Sequence, residues 1–207
     1  MHIGIIGAGQ LGRMMALSGI PLGLRLTMYD QRADVPGAAV APIVTGQFDD
    51  HRKLARFARG VDVVTFDWEN VPVESVRAIA KIRPVWPPPR SLAASQDRLS
   101  EKRLFQRLGI PVAPYSAIET RADLARAIAT IGAPGILKTR RLGYDGKGQA
   151  AIRRAADADD AFELLHGRPL LYERYVRFSR EVSLVAARDR AGNIACYPLA
   201  ANVHEQG

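Results

Sequence analysis

LKTRRLGYDGKGQ, residues 137–149, carries three glycines, two adjacent arginines, two lysines and one aspartate. A glycine-rich β-hairpin of this composition can fold over the phosphates of a nucleotide, its amides and basic side chains neutralising their charge. Lys138, on the strand GILKT (135–139), would point at the same phosphates, and Lys102 or Arg98 from the preceding helix would add a further charge. Downstream, PLLYERYV (169–176) brings Glu173, and the run continues to Glu181. In a hinge, Glu173 and the backbone of residues 174–176 would hold an adenine edge, with Glu181 accepting from ribose hydroxyls. Each charge alone is an ordinary solvated side chain. Their order along the chain is the signal.

Around this stretch the pattern is α+β. A helix over 95–111 starts at Ser95 or Asp97 and stops at Gly109–Pro111. A second helix covers roughly 121–131, followed by strands at 135–139 and 150–153, a helix at 157–166 and a strand at 169–176. EVSLVAARD and NIACYPLA read as a hairpin turned at residues 190–192. Cys196, in an apolar strand, is expected in the core.

The first ninety residues instead alternate strands and helices. HIGIIG (2–7), LRLTMYD (24–30) and VDVVTFD (61–67) read as strands. Residues 10–20 set Leu11, Met14, Met15 and Leu17 at helical spacing, and 51–60 and 73–82 are further helices. This rhythm predicts a Rossmann-like parallel sheet with helices on both faces. PVWPPPR (84–90) interrupts it, so a domain of residues 1–90 is expected, then one of 91–207.

GAGQLG (Gly7–Gly12) follows a strand and opens a helix, with Asp30 at the end of the second strand. The spacing matches a dinucleotide turn and its ribose-binding carboxylate, which supports an NAD(P)-dependent oxidoreductase. The same amides suit the phosphate of a ribonucleotide substrate. Because the second half already accounts for one nucleotide, Gly9 and Gly12 are expected to serve that ribonucleotide phosphate.

Composition narrows the classes. The chain has 207 residues, 47% hydrophobic and 24% charged, which argues against disorder. One cysteine excludes an intrachain disulfide framework and a multi-cysteine metal site. No apolar run approaches the ~18 residues of a membrane span. The start has no basic leader, so a cytoplasmic protein is expected. The net charge of +8 comes from dispersed arginines rather than a basic run, and alone supports only a nucleic-acid-binding module.

GAGQLGRMM, FDWENVP (66–72), QDRLSEK (96–102), LKTRRLGYDGKGQ, YERYVRFSREVSLV (172–185) and YPLAANVHEQG (197–207) occur in this order. Together they resemble the 5-(carboxyamino)imidazole ribonucleotide synthetases, ATP-grasp carboxylases of purine biosynthesis. The resemblance implies an α/β Rossmann-like N-terminal domain followed by an α+β ATP-grasp domain, with a lid at about 112–176 and a larger subdomain beginning at 177–207. It implies ATP, bicarbonate and aminoimidazole ribonucleotide as substrates, magnesium, a homodimer, and neither nucleic acid nor membrane as partner.

By matching positions, Arg98 and Lys138 are implied as ATP contacts. Gly143, Tyr144, Asp145, Gly146, Lys147, Gly148 and Gln149 form the phosphate-covering loop. Glu173, Arg174, Tyr175 and Val176 form the adenine hinge, Glu181 is the ribose partner, and His204 is a further nucleotide contact. Gln10, Leu11 and Glu69 are implied as ribonucleotide-binding positions. Tyr144, Asp145 and Lys147 are the candidate catalytic residues, with Asp145 positioning the substrate amine or accepting its proton. Asp67 stands where the family pattern T-x-E-x-E-N has its first glutamate, so no binding role is carried to it. Ala201 stands where a glutamate is frequent. The magnesium ligands and a C-terminal domain are expected beyond Gly207, and the 207 residues alone are expected to be poorly active.

Overall fold

The computed structural model describes residues 1–143 and 147–203. The chain forms two compact units, Met1–Gly109 and Ile110–Gly207.

In the first unit, β1 (His2–Ile6) turns into α1 (Gln10–Gly19), followed by β2 (Arg25–Asp30), β3 (Ile43–Thr45), α2 (His51–Arg59), β4 (Val63–Phe66) and α3 (Val73–Ala80). All strand pairings are parallel, in the order β3-β2-β1-β4. This is the expected Rossmann-like sheet. Successive residues face opposite ways: Ile6 and Tyr29 join Leu54, Phe57, Val64 and Val76, whereas Ile5 and Met28 join Ala16 and Leu26. Both faces are therefore covered, as a parallel sheet requires.

The apolar spacing of α1 identifies a helix but not its buried face. Leu11 and Met14 are each 60% exposed. The residues that α1 buries are Gly12, Ala16 and Gly19. Their small size suits close packing, with Ala16 in the core beside Ile5 and Met28.

The proline segment is a corner within the packing of the first unit. Val85 bridges Val64 in parallel, then α4 (Pro89–Ser95) opens with Pro89 at a first-turn position. Proline is tolerated there because that amide has no partner within the helix. Leu92 of α4 enters the core with Val64 and Val76, and α5 (Arg98–Arg107) follows. Asp97 is the cap of α5, its Oδ1 accepting from the amides of Leu99 at 3.0 Å and Ser100 at 3.2 Å. The other sequence candidate, Ser95, ends α4.

The second unit contains β5 (Tyr115–Ile118), α6 (Arg121–Ile131), β6 (Gly135–Thr139), β7 (Gln149–Ile152), α7 (Ala158–Leu165) and β8 (Leu170–Arg174). The strands form an antiparallel sheet in the order β5-β8-β6-β7. Leu124 and Ile128 of α6 and Ala161 of α7 pack on Ile118, Leu137, Ile152, Leu170 and Tyr172. Thr120 and Asp123 form a reciprocal capping box at the start of α6. Gly135 lies against Tyr172: a methyl group there would sit 2.2 Å from the tyrosine oxygen, which donates to the Gly132 carbonyl at 2.8 Å.

Beyond β8 lie β9 (Glu181–Ser183), β10 (Ala186–Arg188), β11 (Ile194–Cys196) and β12 (Ala200–Asn202). The expected hairpin is present as two paired stretches, β10 with β11 and β9 with β12, both antiparallel. Cys196 is exposed rather than in a core. Every residue of β10 and β11 is exposed, so an apolar strand here has no buried face. No helix among the described residues is long and apolar enough to cross a membrane.

Candidate active site

The carboxyl ends of β1, β2 and β4 converge on one cleft of about 470 Å³. This is where an open parallel sheet places ligands, beside the strand at which the order reverses. Gln10 and Leu11 open α1, Asp30 ends β2, and Asp67, Trp68 and Glu69 follow β4. The structure thus gathers Gln10, Leu11 and Glu69 around one space. Phe48 and Trp68, with ring centroids 5.0 Å apart, supply aromatic surface.

Three amides of the glycine turn, those of Ala8, Gly9 and Gly12, are already engaged. Asp67 Oδ2 accepts from Gly12 N at 2.8 Å and Gly9 N at 3.1 Å. Asp30 Oδ2 accepts from Ala8 N at 2.8 Å. Asp67 thus caps α1 from 55 residues away in the chain, at a helix start with no side-chain cap of its own. Gly7 has φ +93°, and a side chain there would run into the Asp67 carboxylate. Burial pushes the Asp67 carboxyl above its ordinary value, the Gly12 and Gly9 amides oppose that rise, and the negative charge of Asp30 adds to it.

These contacts bear on two expectations. Gly9 and Gly12 do not present open amides to a phosphate, because a carboxylate of the same chain holds both. The oxidoreductase reading is weakened too, since Asp30, its ribose-binding carboxylate, is bonded back onto the turn. Asp67, given no role from the sequence, organises the site. Its signal was an acidic residue at the end of β4, one step beyond a strand that pairs with β1.

In the second unit, the register places the nucleotide candidates together. Leu137 pairs with Tyr172 and Ala150 on the core face, so Ile136, Lys138, Gln149 and Glu173 lie on the opposite face. Lys138 Nζ lies 3.1 Å from Glu173 Oε2, both side chains more than four-fifths buried. Gln149 is directly opposite Lys138 across β6 and β7. Gly148, with φ +71°, accepts from Thr139 N at 2.8 Å and closes the base of the glycine segment. A methyl group at Gly148 would lie 2.6 Å from Thr139 Oγ1. Lys147 is exposed, and Gly143 stands at the other end of the segment. Tyr144, Asp145, Gly146 and His204 lie outside the described residues.

The hinge candidates leave the end of β8. Arg174 N donates to the Pro114 carbonyl at 2.9 Å and Tyr175 N to the Pro134 carbonyl at 3.0 Å. Tyr175 and Val176 have exposed side chains. Glu181 begins β9, where Asn202 of β12 donates Nδ2 to Glu181 Oε1 at 2.9 Å. Asn202, quoted in the sequence motif without a role, thus orients the ribose candidate. Arg98 is the first residue of α5, in the first unit. Among the described residues, no three His, Cys, Asp or Glu side chains converge as a metal-binding group.

Residues 1–96 match the ribonucleotide synthetase preATP-grasp domain, and residues 103–207 match the ATP-grasp domain. The chain is 44% identical to N5-carboxyaminoimidazole ribonucleotide synthase of Pseudomonas aeruginosa, over 100% of this chain and 58% of that protein. The N5-carboxyaminoimidazole ribonucleotide synthetase structure from Thermus thermophilus is 44% identical, with a TM-score of 0.91 over 99% of this chain and 55% of that one. The Aspergillus clavatus N5-carboxyaminoimidazole synthase complexed with ADP and 5-aminoimidazole ribonucleotide is 25% identical, with a TM-score of 0.89 over 99% and 54%. The chain thus spans somewhat over half the length of the proteins it matches. The parallel sheet with its turn-end cleft and the antiparallel sheet with its Lys138–Glu173 face agree with those two domain matches, and the chain belongs to the ATP-grasp family, preceded by a ribonucleotide synthetase pre-ATP-grasp domain.

Proposed function

We propose that this chain carries the ribonucleotide- and ATP-binding parts of a ligase that carboxylates 5-aminoimidazole ribonucleotide with bicarbonate in purine biosynthesis. In this reaction a bicarbonate oxygen attacks the γ-phosphorus of ATP, giving carboxyphosphate and ADP. The exocyclic amine then attacks the carboxyl carbon, the bond to phosphate breaks, and the amine loses a proton as phosphate leaves. Such chemistry consists mainly of positioning and charge neutralisation.

The observation that carries this reading is the grouping of Lys138, Gln149 and Glu173 on the non-core face of one sheet, at the base of the glycine segment. In our reading Lys138, Lys147 and Arg98 neutralise phosphate charge, and residues 143–149 cover it. Glu173 to Val176 hold adenine, Glu181 takes the ribose hydroxyls, and His204 adds a nucleotide contact. Gln10, Leu11 and Glu69 bind the ribonucleotide, while Tyr144 and Asp145 face its amine. ATP enters as its magnesium complex. The enzyme is read as a cytoplasmic homodimer.

A ligand that binds only the folded state stabilises it by mass action. In thermal unfolding, ATP with magnesium and aminoimidazole ribonucleotide should each raise the transition, and NADH should not. Stabilisation by NADH alone would overturn the reading.

A further inference from the structure

Another cavity of the first unit lies at the opposite end of its parallel sheet, against the amino ends of β1, β2 and β4. It holds about 300 Å³, and the described residues lining it bring three guanidiniums, those of Arg25, Arg59 and Arg83, against one carboxylate, that of Asp62. Asp62 Oδ2 already accepts from the His2 amide at 2.7 Å. Arg83 is half-buried and held in place. Its Nε donates to the Val61 carbonyl at 2.7 Å, Nη1 to Ile82 at 3.3 Å and Nη2 to Arg59 at 3.5 Å. Each terminal nitrogen keeps a further N–H for the cavity. The carboxyl end of α2 accounts for Arg83, because a cation there meets helix carbonyls. It does not account for Arg25, which opens β2. Arg25 Nη2 donates to His2 Nδ1 at 3.3 Å, since a guanidinium has no acceptor, and His2 Nε2 then donates to Thr27 Oγ1 at 2.8 Å. Three cations around one engaged carboxylate repel one another, and an anion among them relieves that repulsion.

This cavity adjoins one of about 370 Å³, the two sharing His2, Gly60 and Val61. The neighbour has an apolar wall of Val44, Phe57 and Val61, with Lys53 and Arg56 beside it. Guanidiniums suit phosphate oxygens, which they meet through paired N–H groups, and the wall suits an apolar body next to that phosphate. We infer that the amino end of this sheet is a binding site for a phosphate monoester with an apolar body, such as a nucleoside monophosphate: Arg25, Arg59 and Arg83 take the phosphate, and the wall of Phe57 and Val61 takes the body. The site is separate from the cleft at the carboxyl ends of the same strands and does not rest on the function proposed above.

The test is local, so that a nucleotide bound elsewhere on the chain does not enter it. NMR shifts of the His2 ring and the Gly60 amide are followed in the whole chain during titration with adenosine monophosphate, inorganic phosphate and adenosine. Adenosine monophosphate should move both saturably, inorganic phosphate should do so with weaker affinity, and adenosine should leave both unmoved. Arg25→Gln combined with Arg59→Gln should weaken the response to adenosine monophosphate about tenfold or more, as expected for lost charged hydrogen bonds. Both side chains are exposed, and Arg59→Gln alone serves if the double variant does not fold. No saturable shift with adenosine monophosphate, or an unchanged response in the folded variant, overturns the inference. Affinity for adenosine monophosphate no higher than for inorganic phosphate or for adenosine overturns it as well. Movement by a polyaspartate peptide and by neither phosphate compound would also overturn it, making the patch a docking surface for an acidic chain. Any of these failures leaves the proposed function standing, since none of these residues belongs to its ATP or ribonucleotide positions.

Discussion

Lys138 and Glu173 are diagonal neighbours across β6 and β8, joined by an ion pair of 3.1 Å on the face opposite the core. Their pairing brings a cation and an anion, which the sequence suggested for opposite ends of a nucleotide, into direct contact. A ligand using both groups must fit around one shared locus.

Lys138→Ala should weaken ATP binding by about 2 kcal/mol, or about 30-fold, as expected for loss of a charged hydrogen bond. Calorimetric titration of the folded variant with ATP and magnesium measures this directly. Wild-type affinity would remove Lys138 from the nucleotide site.

Gly135→Ala should destabilise the second unit by about 1–3 kcal/mol through overpacking. The added methyl would meet the oxygen and ring of Tyr172, which is fully buried and anchored to Gly132. Denaturant unfolding of both proteins gives the difference, and pairing the change with Tyr172→Phe should recover part of it.

Thr120→Ala should cost about 1 kcal/mol, the usual effect of removing a helix N-cap. Thr120 Oγ1 accepts from Asp123 N at 3.1 Å, and that donor is left without its partner. Asp123 should also lose part of the depression of its carboxyl, because the Thr120 hydroxyl is its largest cause. Side-chain titration by NMR would reveal the upward move.

The pH dependence at Asp67 runs opposite to that of most surface aspartates. Its carboxyl lies above the ordinary value, chiefly through burial, so the folded state holds the proton more tightly than the unfolded one. Its ionisation therefore costs nothing below the unfolded value and is fully felt above the folded one. Asp67→Asn cannot ionise, so its stability relative to wild type should rise as pH climbs through the carboxylate range to neutrality. Unfolding at both ends of that range tests the sign.

Local patterns carried much of the fold. A compact apolar run before GAGQLG gave β1 and the start of α1, and Asp97 was one of two caps, with Ser95, that local pattern offered for α5. What local pattern could not reveal were contacts between distant segments. Asp67 meets Gly9 and Gly12 only because β4 crosses back to lie beside β1. Lys138 meets Glu173 only because β8 pairs beside β6 in one particular register. Cys196 was misplaced for a related reason: apolar composition reports a strand's preference for burial, not whether another layer covers it.

The central position of β1 shapes how the first unit can be made. Ile3 aligns with Leu26 on one side and with Val63 on the other. On a ribosome, β1 emerges before its neighbours β2 and β4, and its second edge stays bare until β4 has been synthesised. Through that interval the nascent chain exposes an unpaired apolar edge beside a half-built sheet, the kind of surface that recruits chaperones or a neighbouring chain. Closure of the sheet and arrival of Asp67 on the glycine turn come in the same stretch of translation, so the cleft takes shape only as that exposure ends.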